Sequence, residues 1–191
     1  MNVALQPAWT QERFLLWAEA QDEPYEFDGE QPVAMTRGNN NHNRLIRNIL
    51  GALDRRLDRA VGEALGPEAG IQTANGAVRY PDVVVTRTPI DGLARLVCDP
   101  VILFEIPSRN SYRNDRIVKV REYGLVPTVR RYIIVELGLQ ALTVLTHGSA
   151  GVPWTTFPLG EGETLALPEI GVELPLLEIY DRVNFELTQE D

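Results

Sequence analysis

The chain reads as a mixed α/β fold, a mixed sheet flanked by helices, and three observations predict it. Three short apolar runs, Val83-Val84-Val85, Val101-Ile102-Leu103-Phe104 and Tyr132-Ile133-Ile134-Val135, have the length and β-branched content of strands buried on both faces. Leu45, Ile46, Ile49, Leu50, Leu53 and Leu57 recur at spacings of one, three and four, the stripe of an amphipathic helix. Strand and helix signals alternate along the chain, in the order helix, hairpin, helix, three strands, helix, two strands.

Each element has a local reason. Thr10 caps a helix over 11–18, whose apolar face is Phe14, Leu15, Trp17 and Ala18, with Pro24 beyond its end. Asp28-Gly29 is a hairpin turn between strands near 25–27 and 32–35. After the polar break 38–41, Asn41 caps the leucine-rich helix, which ends before Gly62 or Gly66. Residues 63–97 read as extended: a weak strand at 69–73, a hairpin turn at Asn75-Gly76, and a returning strand at 77–85. Pro81 lacks a ladder donor and is expected at a bend or bulge. A second buried strand over 101–106 stops at Pro107. A helix starting at Asn114 or Asp115 carries Ile117, Lys119, Val120 and Tyr123 and ends by Pro127. Strands at 132–136 and 142–145 pair through a turn at Gly138. The tail, with Pro153, Pro158, Pro168 and Pro175, reads as a β/coil cover without motif chemistry.

With 191 residues and 44% of them apolar, one domain is expected over 1–191. Its parts are a helix and hairpin at 9–36, a core at 41–146 and an acidic cover at 151–191. No apolar run is long enough to span a membrane, and no basic-then-apolar leader opens the chain, so the expected setting is cytoplasmic. Cys98 is the single cysteine and reads as a buried filler, which excludes an internal disulfide and a cysteine zinc cluster. His42 and His147 lie too far apart for a zinc-hydrolase pair. No organic cofactor is implied. The net charge is −9, but residues 151–191 hold nine acidic groups and one basic group. The remainder is near neutral, with arginines clustered at 44–59 (Arg44, Arg47, Arg55, Arg56, Arg59) and 109–121 (Arg109, Arg113, Arg116, Arg121), so a local field could attract a polyanion.

The chemistry lies in three residues. Asp82 opens the valine strand and Glu105 ends the next one, positions where a buried carboxylate is costly without a partner or a metal. If the two strands are neighbours, both carboxylates, with the Ile106 main-chain carbonyl, supply the oxygens magnesium prefers. Lys119 is the chain's one lysine, fourteen residues beyond Glu105, and its amine would orient a water and stabilise a phosphoryl transition state. Asp115, Lys119 and Glu122 also have the spacing of an ordinary helical charge ladder.

The helix, hairpin, Pro-Asp strand, Glu-ended strand, helix and strand resemble the PD-(D/E)XK nuclease superfamily. The finer resemblance is to a restriction-endonuclease-like family of bacterial proteins of largely unassigned function. Its motifs match Tyr25-Glu26-Phe27-Asp28-Gly29-Glu30, His42 at the helix start, Tyr80-Pro81-Asp82, Glu105-Ile106-Pro107-Ser108, Asp115-Arg116, Lys119 and Tyr123. The resemblance covers about residues 9–150 and implies a restriction-endonuclease-like fold. It implies a DNA endonuclease dependent on Mg2+ or Mn2+, with catalytic Asp82, Glu105, Lys119, His42 and Glu30, and metal held by Asp82, Glu105 and Ile106. Glu26, Tyr123 and Ser108 support the site, Tyr123 chiefly through packing. A homodimer follows by analogy with restriction-type nucleases. Two departures stand out. The superfamily lysine lies two residues after the second carboxylate, where this chain has Pro107, so Lys119 must substitute for it from a helix. Arg109 and Asn110 replace the family's usual Pro-Ser. The alternative is a catalytically inactive nuclease fold serving as a DNA- or protein-binding module.

Overall fold

A computed structural model describes residues 8–108, 111 and 113–185. Helix α1 (Gln11–Ala18) starts where expected, with Thr10 Oγ1 accepting from the Arg13 N–H at 3.2 Å. Its buried Phe14 stacks on Phe27, ring centroids 5.3 Å apart. Phe27 ends β1 (Tyr25–Phe27), which forms a hairpin with β2 (Pro32–Ala34). The turn needs Gly29 at φ +100, while Asp28 Oδ1 accepts the N–H groups of Glu30 and Gln31 at 2.8 and 2.7 Å.

Helix α2 (Asn40–Arg56) begins two residues earlier than expected. Its cap is Asn39, not Asn41: Asn39 is extended, and its Oδ1 accepts the His42 N–H at 3.0 Å. Asn41 is instead buried within the first turn, donating to the Asn184 carbonyl at 2.7 Å.

The region 63–97 is more divided than a single hairpin. It contains β3 (Glu63–Leu65), β4 (Gly70–Gln72), β5 (Val78–Arg79), β6 (Val83–Thr86) and β7 (Leu96–Val97). The predicted strand 77–85 is two strands in two sheets: β5 lies in the order β2-β1-β5-β4-β7, and β6 lies in the main sheet. The chain changes sheet at Tyr80, Pro81 and Asp82, where proline's missing N–H interrupts no ladder.

The main sheet continues with β8 (Pro100–Glu105), β9 (Arg131–Val135), β10 (Leu142–Thr146) and β11 (Thr155–Leu159), in the order β11-β10-β9-β8-β6-β3. Within this sheet, among the described residues, only β8 and β9 pair in parallel, so the chain between them must cross over. The crossover is a π-helical stretch (Asn114–Val118) running directly into α3 (Lys119–Tyr123). The sequence suggested one continuous helix here.

Both faces of the sheet are covered, which explains the uninterrupted apolar runs. Val83, Val85, Ile102, Phe104 and Ile133 face the α2 stripe of Leu45, Ile49 and Leu53. Val84, Leu103, Tyr132 and Ile134 face Tyr123 and Val126. Each such side chain contributes about 1.5–3 kcal/mol through burial. A smaller cluster of Phe14, Phe27 and Val78 ties the second sheet to α1.

The tail, expected as a β/coil cover, is built of three strands and a short helix. Strand β11 extends the main sheet, β12 (Thr164–Leu167) and β13 (Val172–Pro175) form a hairpin, and α4 (Leu176–Ile179) follows. Its acidic groups occupy several arginines: Glu178 pairs with Arg55 and Arg56, and Glu169 with Arg131 at 2.9 Å. The arginine cluster at 44–59 is therefore in part an internal clamp, not a free basic face. Cys98 is exposed, against the expectation of a buried filler, because it follows the two-residue β7 at a sheet edge. Among the described residues no helix is long and apolar enough to cross a membrane.

Candidate active site

The antiparallel register of β6 and β8 pairs Val83 with Phe104, so the next residues outward, Asp82 and Glu105, lie side by side at the sheet's end. Both line a cavity of about 520 Å³ walled by the β1–β2 hairpin, β5, the start of α2 and the crossover. The expected adjacency of the two acidic strands is therefore present. Asp82 is fixed from two directions: Oδ2 accepts the Ile106 N–H at 2.7 Å, and Oδ1 lies 3.1 Å from His42 Nε2.

Lys119 reaches into the same place. It is 5% exposed, and its Nζ lies 2.8 Å from Glu105 Oε1, 3.1 Å from Glu26 Oε1 and 3.1 Å from Asp115 Oδ1. Tyr123, one turn on, donates its hydroxyl to the same Glu105 oxygen at 3.0 Å, so it contacts the site as well as packing beneath it. The ladder Asp115, Lys119, Glu122 is thus buried inside the fold and is no solvated surface ladder. Burial pushes the Glu105 carboxyl well above its usual range, with Lys119 opposing. Burial works to lower Lys119, but Glu105, Glu26 and Asp115 outweigh it and hold the amine well above its usual range, as ammonium. Burial and Glu105 together push Tyr123 up, keeping it a neutral donor.

His42 owes its place to the first turn of α2 and to Gly38. Burial lowers its proton affinity, yet the bond and charge of Asp82 raise it above the ordinary value on balance. A Cβ on Gly38 would fall 2.3 Å from His42 Nδ1 and 2.8 Å from its Cβ, so nothing larger fits against the ring's root. Gly38→Ala is expected to swing His42 off Asp82 and destabilise the fold by about 1–3 kcal/mol. Loss of the Asp82-dependent shift of the His42 ring signals in NMR, with a lowered melting temperature, checks this.

The remaining expected residues differ in depth. Glu26 is buried within the site. Glu30 lines the cavity from the hairpin turn and is exposed. Ser108 also lines the cavity and hydrogen-bonds Ser111 Oγ at 3.2 Å. Arg109 and Asn110 lie outside the described residues. Sequence reasoning missed Arg79, whose guanidinium joins Glu26 to Glu122, and gave Asp115 and Glu122 no place in the site. Tyr132, beyond its place in the strand, donates its hydroxyl to the Asp115 carbonyl at 2.9 Å and braces the π-helical stretch. A π-helical turn at such a place is itself a common mark of a functional site.

Magnesium takes one or two carboxylates and keeps waters and substrate oxygens for the rest of its shell. Asp82 and Glu105 fit that need, since an ionised carboxylate has about four acceptor positions and the contacts of Glu105 to Lys119 and Tyr123 both fall on Oε1. Among the described residues no three metal-type side chains converge on one point, so such a site would be completed by solvent and substrate.

A solved structure of a putative nuclease belonging to DUF820 from Anabaena variabilis ATCC 29413 has a similar fold. Its TM-score is 0.73 over 92% of this chain and 99% of that one, at 13% identity. No curated protein matches the chain. A family profile, Uma2, described as putative restriction endonuclease, matches residues 11–177. The α/β fold and the match over most of the chain agree with a PD-(D/E)XK-like nuclease. The chain belongs to the Uma2 family of putative restriction endonucleases.

Proposed function

We propose that this protein is an endonuclease hydrolysing DNA phosphodiester bonds with Mg2+ or Mn2+. The observation that supports this most is the meeting of Asp82, Glu105 and Lys119, from three separate elements, at one end of the main sheet. A second hollow shares His42, Tyr80 and Asp82 with the first, so the site lies along a trough suited to a chain-like substrate. The activity belongs to hydrolysis by positioning and electrostatics, which phosphoryl transfer chiefly requires.

In this reading Asp82, Glu105 and the Ile106 carbonyl hold the cation, which when bound neutralises phosphate charge and lowers the pKa of a water. Lys119, kept charged by its carboxylates, faces the negative charge that develops on the phosphoryl oxygens. It stabilises that charge and does not act as a base. His42 steadies Asp82, and Glu30 lines the cavity from the hairpin turn. The homodimer stays part of the proposal, since two copies would present two such sites to a duplex. The purified protein should nick plasmid DNA with Mg2+ or Mn2+ and stop when a chelator is added. Cleavage equal in wild type and Glu105→Ala would sink the proposal.

The rival reading is a nuclease fold that binds without cutting, and one observation favours it: Asp82 and Glu105 already have protein partners. Calorimetry separates the two. A working site takes up Mn2+ in wild type and not in Glu105→Ala, whereas a decayed site takes up none in either.

A further inference from the structure

Lys119 approaches Glu105 from a helix, not from the strand that carries Glu105. A lysine two residues along a strand would be placed by the strand. A lysine on a separate helix is placed only as well as that helix is held. Tyr132 and Trp154 hold its backbone, donating to the Asp115 and Val120 carbonyls at 2.9 and 2.8 Å, and Arg79 on β5 makes the charged holding contacts. Its Nε and one terminal nitrogen donate to both oxygens of Glu122, at 2.8 and 2.9 Å, and Glu122 lies one turn beyond Lys119 on α3. Its other terminal nitrogen donates to Glu26 Oε2 at 3.0 Å, while Glu26 Oε1 lies 3.1 Å from Lys119 Nζ. The Arg79 side chain is only 4% exposed. A planar fork between two carboxylates fixes distance and orientation together, which a point charge cannot do.

We propose that Arg79 is a positioning residue that tethers the lysine-bearing helix, and one of the amine's carboxylate partners, so that Lys119 Nζ stays at Glu105. The catalytic consequence rests on the nuclease reading above. The tether itself does not.

Lys119 is the sole lysine, so protein labelled with ε-15N-lysine gives one side-chain signal. In the wild type that ammonium should exchange its protons slowly with water. Arg79→Met should speed exchange about tenfold or more, the scale of a lost buried charged hydrogen bond. Its turnover should fall by a similar factor, because the amine no longer stays at Glu105. Arg131→Met, which breaks the part-buried bridge to Glu169 elsewhere in the fold, should leave the lysine signal unchanged. Wild-type exchange in Arg79→Met, or an equal change in Arg131→Met, would overturn the tether. If Arg79→Met does not fold, Glu122→Gln decides: it keeps the Arg79–Glu26 bond, so exchange should rise by a smaller factor, and an unchanged rate refutes the proposal. The signal is readable whether or not the protein cuts DNA. Absent wild-type cleavage would therefore count against the nuclease reading alone.

Discussion

Lys119→Met is expected to cost about 3–5 kcal/mol of folding stability, the usual penalty for removing one partner of a buried ion pair. It should lower the melting temperature by roughly 10 °C or more. The reason is what remains. Glu105, Glu26 and Asp115 each lie within 3.1 Å of the amine, and methionine would leave all three in the same buried space, with Arg79 paired to Glu26. Like charges so close cannot all stay ionised, so part of the cost appears as proton uptake on folding. Lys119→Arg keeps the charge but must fit a wider fork into a filled space, and should recover part of the stability without the full activity. Thermal unfolding of the three proteins, with cleavage assayed well below the lowest midpoint, separates the two losses. A Met variant as stable as the wild type would show that the cluster is already protonated and that Lys119 compensates nothing.

The same cluster shows where sequence reasoning stops. The strands were legible because their signal is local: Val83-Val84-Val85 and 101–104 are apolar without alternation, and two covered faces are what such runs need. The neighbourhood of Asp82 and Glu105 followed from that, since adjacent antiparallel strands bring their opposite ends together. Arg79 and Glu122 could not be found in this way. They lie forty-three residues apart, on a two-residue strand and a five-residue helix, and each alone looks like an ordinary surface charge. Asp115 was hidden for a related reason. A carboxylate at a helix start is a common solvated feature, and only the π-helical geometry and the Tyr132 brace place it in the interior. The arginines of α2 misled in the opposite direction: clustered in sequence, they looked like a face for a polyanion. Arg55 and Arg56 instead meet Glu178, more than 120 residues later. Pairings between distant, individually unremarkable charges carry no periodicity, and periodicity is what a single sequence displays best.

Asp82→Ala is expected to lower DNA cleavage by about 10³-fold or more, because the several kcal/mol that a cation contributes to the transition state depend on its oxygens. Its effect should exceed that of any neighbour, since Asp82 does two things at once. Besides its proposed hold on the cation, it accepts the Ile106 N–H at 2.7 Å and faces His42 at 3.1 Å. Alanine therefore also leaves a buried main-chain donor and an imidazole without their acceptor, a further cost of about 1–3 kcal/mol in stability. Asp82→Asn tells the two functions apart. The amide oxygen can still accept from Ile106, so folding stability should return toward wild type, but the lost negative charge leaves cation binding and cleavage impaired. An Asn variant that binds Mn2+ and cuts as the wild type does would remove Asp82 from the chemistry and leave it a brace between β8 and α2.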